Sequence, residues 1–198
     1  MQIIDTDVKL ILASGSPYRR ELLGRLGLAF QAWSPEVDER ALPREQPSAT
    51  AARLARAKAR AGAERWPQAL IIGSDQVADV DGAAMSKPGT LANARDQLRR
   101  LSGRTVLFHT ALCVARGEPA RWQERMISTE VEFRRLDDGE IDRYLAREPA
   151  LDCAGSAKVE GLGISLLARL GGDDPTALVG LPLIALSAML RAEGVPVP

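Results

Sequence analysis

Lys9-Leu-Ile-Leu-Ala-Ser-Gly-Ser-Pro-Tyr-Arg-Arg-Glu-Leu-Leu23 sets the architecture of the chain. A short apolar run, residues 8–14, reads as a buried strand. Pro17 suits the first position of a helix over 17–27, whose inward stripe is Leu22, Leu23 and Leu26. The strand therefore delivers the chain straight to a helix N-terminus, where the first N–H groups lack partners and favour anions. Ser14, Ser16, Arg19 and Arg20 cluster at that junction. Guanidinium groups match phosphate oxygens in a fork. The stretch reads either as a phosphate site or as helix capping beside a solvated arginine pair. It is not a P-loop, because the GxxxxGK(S/T) spacing is absent.

Working outward, Ala29–Ser34 reads as a second strand and 35–47 as a loop, acidic and then proline-punctuated. Ser48 is expected to cap a helix running to Arg65, with Leu54, Lys58 and Ala61 on one face. Ala69–Ile72 is a continuous apolar run of the kind buried on both faces of a sheet. Asp81-Gly82 is a hairpin signal. Residues 90–101 carry a helical stripe, and Thr105–Ala115 and Arg121–Arg135 read as long strands turned at Gly117-Glu118-Pro119. A helix starts at Asp137 or Asp138, with Ile141, Tyr144 and Leu145 inward. Gly161–Leu170 reads as a glycine-punctuated strand, and Pro182 opens a last helix that Gly194 closes. Asp173-Asp174 before Pro175 reads as a turn. This mixture predicts an α/β fold with an elongated mixed sheet in one domain, residues 1–198.

The 198 residues carry 26 basic and 26 acidic side chains, so the net charge is zero, and only 4% are aromatic. The core must be aliphatic, and the charge balance argues against binding a nucleic-acid polymer. Cys113 and Cys153 stand far apart, without CxxC spacing, which argues against a zinc site or a disulfide framework. The N-terminus lacks the charged and apolar regions of a signal peptide, and the apolar runs are too short for a membrane span, so the expected setting is cytoplasmic.

Several side chains are candidates for chemistry. Asp75 follows a buried strand, where open α/β sheets gather ligands. It could hold a divalent cation, activate a water, or cap a turn. Glu36, Asp38 and Glu39 form either a hard-cation site or a solvated acidic loop. Lys58 lies on an apolar stripe and must snorkel or find a partner. Lys87, held extended by Pro88, reads with Lys58 as either a phosphate clamp or a surface lysine. His109 reads as a packed or edge residue, and with no second histidine a His-pair metal site is excluded. Gly161-Leu-Gly163 is not a dinucleotide fingerprint.

The order of these fragments resembles one family over about 180 residues. It runs Ser14-Gly-Ser16-Pro-Tyr-Arg19-Arg20-Glu-Leu-Leu23, Pro35-Glu36-Val37-Asp38-Glu39, Ala57-Lys58-Ala59, Ile72-Gly-Ser-Asp75-Gln76 and Lys87-Pro88. Leu101-Ser-Gly-Arg104, Glu148-Pro149, Ala154-Gly155, Glu160-Gly161-Leu-Gly163 and Gly180-Leu-Pro182 follow. The chain is similar to the Maf family of nucleoside triphosphate pyrophosphatases. The resemblance implies an inosine-triphosphatase-type fold with a cleft between two lobes. It implies cleavage of a nucleoside triphosphate to monophosphate and pyrophosphate with magnesium or manganese. It places the general base on Asp75, catalytic lysines on Lys58 and Lys87, and phosphate contacts on Ser14, Ser16, Arg19 and Arg20. The cation falls to Glu36 and Asp75.

One branch of that family, acting on dTTP and UTP, carries Arg, Thr and Gln at three selectivity positions. This chain has Tyr18, Gln76 and Glu160, similar to the branch acting on 7-methyl-GTP. An aromatic face suits a cationic ring, and a carboxylate suits its N1–H and amine. Lys158 adds a lysine close to Glu160. Left open are other modified or non-canonical nucleotides as substrates, a nucleotide-binding regulator of cell division, and a homodimer.

Overall fold

A computed structural model describes residues 8–198. Its sheet has seven strands: β1 (Leu10–Ala13), β2 (Phe30–Trp33), β3 (Leu70–Val80), β4 (Ala83–Met85), β5 (Thr105–Arg116), β6 (Arg121–Phe133) and β7 (Leu167–Gly171). The order is β2-β1-β3-β5-β6-β7, with β4 paired to β3. β2, β1 and β3 are parallel, and the remaining pairs are antiparallel. The helices are α1 (Pro17–Gly24), α2 (Pro47–Arg65), α3 (Leu91–Leu101), α4 (Asp138–Arg147) and α5 (Leu183–Ala192).

The detail that makes a site is a mismatch in strand length. β1 pairs with β3 only from Leu70 to Ile72, and β4 pairs with it only from Ala78 to Val80. Between them, residues 73–77 have a strand neighbour on the β5 side alone among the described residues. The sheet gapes there, beyond the carboxyl end of β1, which is where open α/β sheets collect ligands. Asp75 and Gln76 lie in that gap.

Three aliphatic clusters hold the sheet. α1 and α5 bury Leu22, Leu23, Leu186 and Leu190 against Leu10, Leu12, Leu70 and Ile72 on one face. α2 presents Ala51, Ala55, Ala59 and Ala63 to Ile11, Ile71 and Cys113 on the other. α3 and α4 pack on Val106, Phe108, Val131 and Phe133 at the far end. α2 can approach closely because its inward residues are small. A Cβ added at Gly73 would sit 2.3 Å from the Ala55 carbonyl oxygen. A bulkier β3 would push α2 away.

The local readings differ from the structure in five places. α2 begins at Pro47 with Gln46 as its N-cap, rather than at Ser48. Proline at the first helical position brings the start forward, and the Glu45 carboxylate accepts from Thr50 Oγ1 at 2.9 Å and from the Leu42 N–H at 3.0 Å. The expected strand Gly161–Leu170 is a 3-10 turn over Leu162–Leu166, with β7 only from Leu167. Here the glycines serve close packing, since a Cβ at Gly163 would meet the Lys158 carbonyl oxygen at 2.5 Å. Asp174 is more than a turn residue: it is buried and accepts from Thr176 N–H and Oγ1 and from the Ile184 N–H. Two bounds also shift: α1 ends at Gly24 rather than at 27, and β3 runs on past Ile72 to Val80, so Asp75 lies within the strand rather than after it. Asp81 and Gly82 both take positive φ, 55° and 82°, in the two-residue β3–β4 turn. α4 opens with a capping box between Asp137 and Glu140.

Candidate active site

The gap in the sheet opens into a cleft of about 820 Å³. Ser14, Ser16, Tyr18, Arg19, Lys58, Asp75, Gln76 and Lys87 all line it. These residues span 74 positions of sequence, yet the end of β1 with the start of α1, the inner face of α2, the middle of β3 and the segment after β4, which carries Lys87, bring them together.

At the β1–α1 junction, Ser16 is the N-cap, and its Oγ accepts from the Arg19 N–H at 3.3 Å. Ser14 Oγ accepts from the Ser16 N–H at 3.2 Å and from Arg19 Nη1 at 3.4 Å. Arg19 Nε donates to the Gly180 carbonyl at 2.7 Å. No carboxylate among the described residues pairs with Arg19. Burial pulls its pKa below the ordinary arginine value, and Asp75 and Glu39 only partly offset this. A desolvated, unpaired guanidinium calls for an anion.

On α2, Lys58 is buried where its stripe meets β3. Its ammonium lies 2.7 Å from Asp75 Oδ1 and 2.6 Å from Glu39 Oε1. The lysine resolves its burial by pairing rather than snorkelling. The hydrogen bond from Lys58 holds the Glu39 carboxyl below the usual glutamate range, against desolvation, with Lys87 and Arg19 assisting. Lys87 itself is exposed at the cleft mouth.

Gln76 is fixed by its amide nitrogen. Nε2 donates to Thr110 Oγ1 at 2.9 Å, to the Ala177 carbonyl at 2.9 Å and to the Leu178 carbonyl at 3.0 Å. Two backbone carbonyls require the nitrogen on that side, so Oε1 is left as the acceptor for a ligand. Tyr18 O–H donates to Asp152 Oδ2 at 3.1 Å. Burial, with Cys153, Asp152 and Glu160 nearby, raises the phenol pKa above its ordinary value.

Three of the sequence candidates stand apart. Arg20 is exposed on α1 and does not line the cleft. Glu36 is exposed on the loop before α2 and does not line it either; Glu39, three residues on, is the member of that acidic cluster that reaches Lys58. Glu160 is also exposed, and lines two smaller cavities that share Tyr18 with each other. Among the described residues no three His, Cys, Asp or Glu side chains form a metal cluster. Asp75 and Glu39 supply two hard oxygen donors, the number magnesium commonly takes from protein when phosphates complete its shell.

Sequence reasoning missed a second layer. The segment 177–180 offers its carbonyls as a rack: Ala177 and Leu178 to Gln76, and Gly180 to Arg19 and to Ser74 Oγ at 2.9 Å. Asp174 ties that segment to the N-terminus of α5. Backbone acceptors leave no trace in side-chain chemistry, so the only available signal was an aspartate before a Pro182 helix start.

Comparisons with known proteins place this geometry. The Maf-like protein family profile matches residues 9–193. The 7-methyl-GTP pyrophosphatase of Aromatoleum aromaticum is 58% identical over 190 residues, covering 96% of this chain and 98% of that protein. The protein of the same name from Xanthomonas campestris pv. campestris gives the same identity and coverage. That from Cupriavidus pinatubonensis is 56% identical over 188 residues, covering 95% of this chain and 94% of its own. Among solved structures, the Ham1 protein of Staphylococcus aureus superposes with a TM-score of 0.56 at 12% identity, covering 93% of this chain and 99% of that one. That likeness shows the inosine-triphosphatase-type fold alone. With the profile spanning β1 to α5 and relatives matched end to end at this identity, the chain belongs to the Maf family.

Proposed function

We propose that this protein is a nucleoside triphosphate pyrophosphatase that cleaves 7-methyl-GTP to 7-methyl-GMP and pyrophosphate. The observation that carries the reading is the floor of the cleft: Lys58 between Asp75 and Glu39, facing an Arg19 that has no carboxylate partner among the described residues. The relatives' names supply the base.

In this reading the triphosphate enters along Arg19, Lys58 and Lys87. Arg19, pinned through Nε to Gly180, turns its remaining N–H groups to phosphate oxygens. Lys58 and Lys87 stabilise the charge that develops on the pyrophosphate leaving group, the positioning and electrostatic strategy of phosphoryl transfer. Asp75 accepts a proton from the water that attacks the α-phosphorus, and Lys58 holds its carboxylate in place. The residues fit a divalent cation, magnesium or manganese, held by Asp75 and Glu39 together with substrate phosphates. Such an ion supplies charge neutralisation and polarisation of the phosphoryl group.

At the base end, Gln76 Oε1 and the Glu160 carboxylate accept from the N1–H and exocyclic amine of guanine, while Tyr18 offers an aromatic face. N7-methylation makes that ring cationic, which favours both the carboxylate and the π-face. Among the described residues no helix is long and apolar enough to cross a membrane. A cytoplasmic setting suits a nucleotide substrate and two free cysteines.

The test is a panel of nucleoside triphosphates, 7-methyl-GTP among them, incubated with the protein and magnesium while pyrophosphate is measured. Pyrophosphate and 7-methyl-GMP should appear in equal amounts, with 7-methyl-GTP the best substrate. Preference for dTTP, UTP or ITP overturns the base assignment. No release from any nucleotide overturns the enzyme itself.

A further inference from the structure

Tyr18, Glu160 and Val179 line two small cavities beside the cleft. The inner one, about 130 Å³, also carries Gln76 and Asp152. The outer one, about 260 Å³, carries Glu148 and Lys158. Lys158 Nζ lies over the Tyr18 ring, 5.1 Å from its centroid. Three carboxylates, Glu21, Glu148 and Glu160, share the outer cavity with it, yet none among the described residues comes within ion-pair distance. The ammonium rests on the ring instead.

Its anchor is rigid. The Lys158 N–H donates to Tyr144 Oη at 3.0 Å, and its carbonyl accepts from the N–H groups of Gly161 and Gly163, each at 3.0 Å. The ring beneath it is steadied by the bond from Tyr18 O–H to Asp152. A flexible arm on a fixed base therefore stations one positive charge on the aromatic face that the proposed function gives to the nucleobase.

We propose that Lys158 is a specificity-determining residue, a tethered cation that occupies the aromatic face of Tyr18 and competes with a positively charged base for it. The proposal rests on the reading of the site as one for a 7-methylguanine nucleotide. A base that lands on the same side of the ring must displace the ammonium. One that lands on the other side meets a ring whose π-density the ammonium already draws on. In both cases the tethered charge opposes a cationic base more than a neutral one, because it stays within a Debye length of the ligand. Lys158 therefore moderates the preference that Glu160, Gln76 and Tyr18 create.

The experiment compares kcat/KM for 7-methyl-GTP and GTP in the wild type, Lys158→Met and Lys158→Arg, at mildly acidic pH where the methylated ring keeps its N1 proton. Thermal melts check that the variants fold, and the backbone bonds of Lys158 do not depend on its side chain. In Lys158→Met the ratio should rise about threefold to tenfold, mainly through a lower KM for 7-methyl-GTP. In Lys158→Arg, which keeps the charge, it should stay within about twofold of the wild type. An unchanged or lower ratio in Lys158→Met overturns the proposal, as does an equal rise in Lys158→Arg. A wild type that hydrolyses neither nucleotide refutes the proposed function separately. Calorimetry with 7-methyl-GMP and GMP then decides the Lys158 question through the ratio of Kd values, and an unshifted ratio or no binding of 7-methyl-GMP overturns it.

Discussion

The two ends of the cleft are built from different material. The phosphate end rests on regular elements: the tip of β1, the first turn of α1, the inner face of α2 and the middle of β3. At its floor Lys58 and Asp75 are buried and paired at 2.7 Å, and Glu39 reaches Lys58 from the exposed loop at 2.6 Å. The base end draws on the irregular stretch before β7, with Asp152 and Glu160 exposed, Lys158 on a ring face and one 3.1 Å hydrogen bond from Tyr18. The contrast assigns rigidity to the part that handles the bond-breaking, where a small displacement is costly, and adaptability to the part that chooses the base. It also orders the expected effects of substitution, large at the floor and small at the rim.

Asp75→Asn should have the largest effect. Loss of a positioned general base lowers kcat by about a thousandfold. Asn keeps an oxygen toward Lys58, and Lys58 keeps Glu39, so the melting temperature should barely move. A folded Asp75→Asn protein that still turns over would break the assignment of the floor as the catalytic end.

Lys58→Met separates charge from packing at the same place. The leaving group loses an electrostatic partner, which costs about a hundredfold in kcat. Here stability should fall too, by about 3 kcal/mol, because Asp75 is left buried without its counter-ion. The pH profile gives a second reading. Glu39 has a depressed pKa in the folded protein, chiefly from its bond with Lys58. Its pairing therefore stabilises the fold above the ordinary glutamate range and is lost as pH falls through the folded value. Thermal melts across the acid range should show that slope in the wild type and a flatter one in Lys58→Met.

Asp174→Ala probes the rack between the two ends. The variant strips acceptors from the N–H groups of Thr176, Ile184 and Ala185. A cost of about 1–3 kcal/mol follows from leaving such donors unsatisfied. Because the 177–180 carbonyls aim both Arg19 and Gln76, KM should rise several-fold while kcat changes less. An unchanged KM in a folded variant would show that the rack stands without this anchor.

The same contrast explains what could be read from the sequence. The phosphate end was legible because its signals are local: Pro17 after two serines, an apolar run ending at Asp75, a lysine on an apolar stripe. Each follows from strand or helix period and from what a buried charge needs. The mixed α/β class followed from the same patterns, as did the Asp81-Gly82 turn, whereas the strand order had to come from the structure. The base end was legible only through resemblance. Nothing in the spacing of Tyr18, Gln76 and Glu160 says that 142 residues of chain return Glu160 to the Tyr18 ring. The choice of Glu39 over Glu36 at Lys58 was likewise hidden, because a loop without period does not reveal which carboxylate turns inward. The backbone rack was hidden for a deeper reason, since every residue type carries the same carbonyl.

The smallest effects belong to the rim, and they test the comparison most finely. Glu160→Gln keeps the shape and removes the charge. If Glu160 reads a cationic base through a charge-assisted bond, the preference for 7-methyl-GTP over GTP should drop about tenfold, with kcat little changed. A preference that survives would mean that base choice is made inside the cleft, by Gln76 alone. Tyr18→Phe goes one step further down. It leaves the aromatic face and deletes only the hydrogen bond to Asp152, so the ring keeps its stacking surface but loses its tether. A change of about twofold in KM is expected, near the lower bound for a partly exposed hydrogen bond. A loss of a hundredfold or more would show that the Tyr18–Asp152 pair is as stringent as the Lys58–Asp75 pair. The division between a rigid chemical end and an adaptable selective end would then fall, since a single 3.1 Å contact on an exposed carboxylate would be governing turnover.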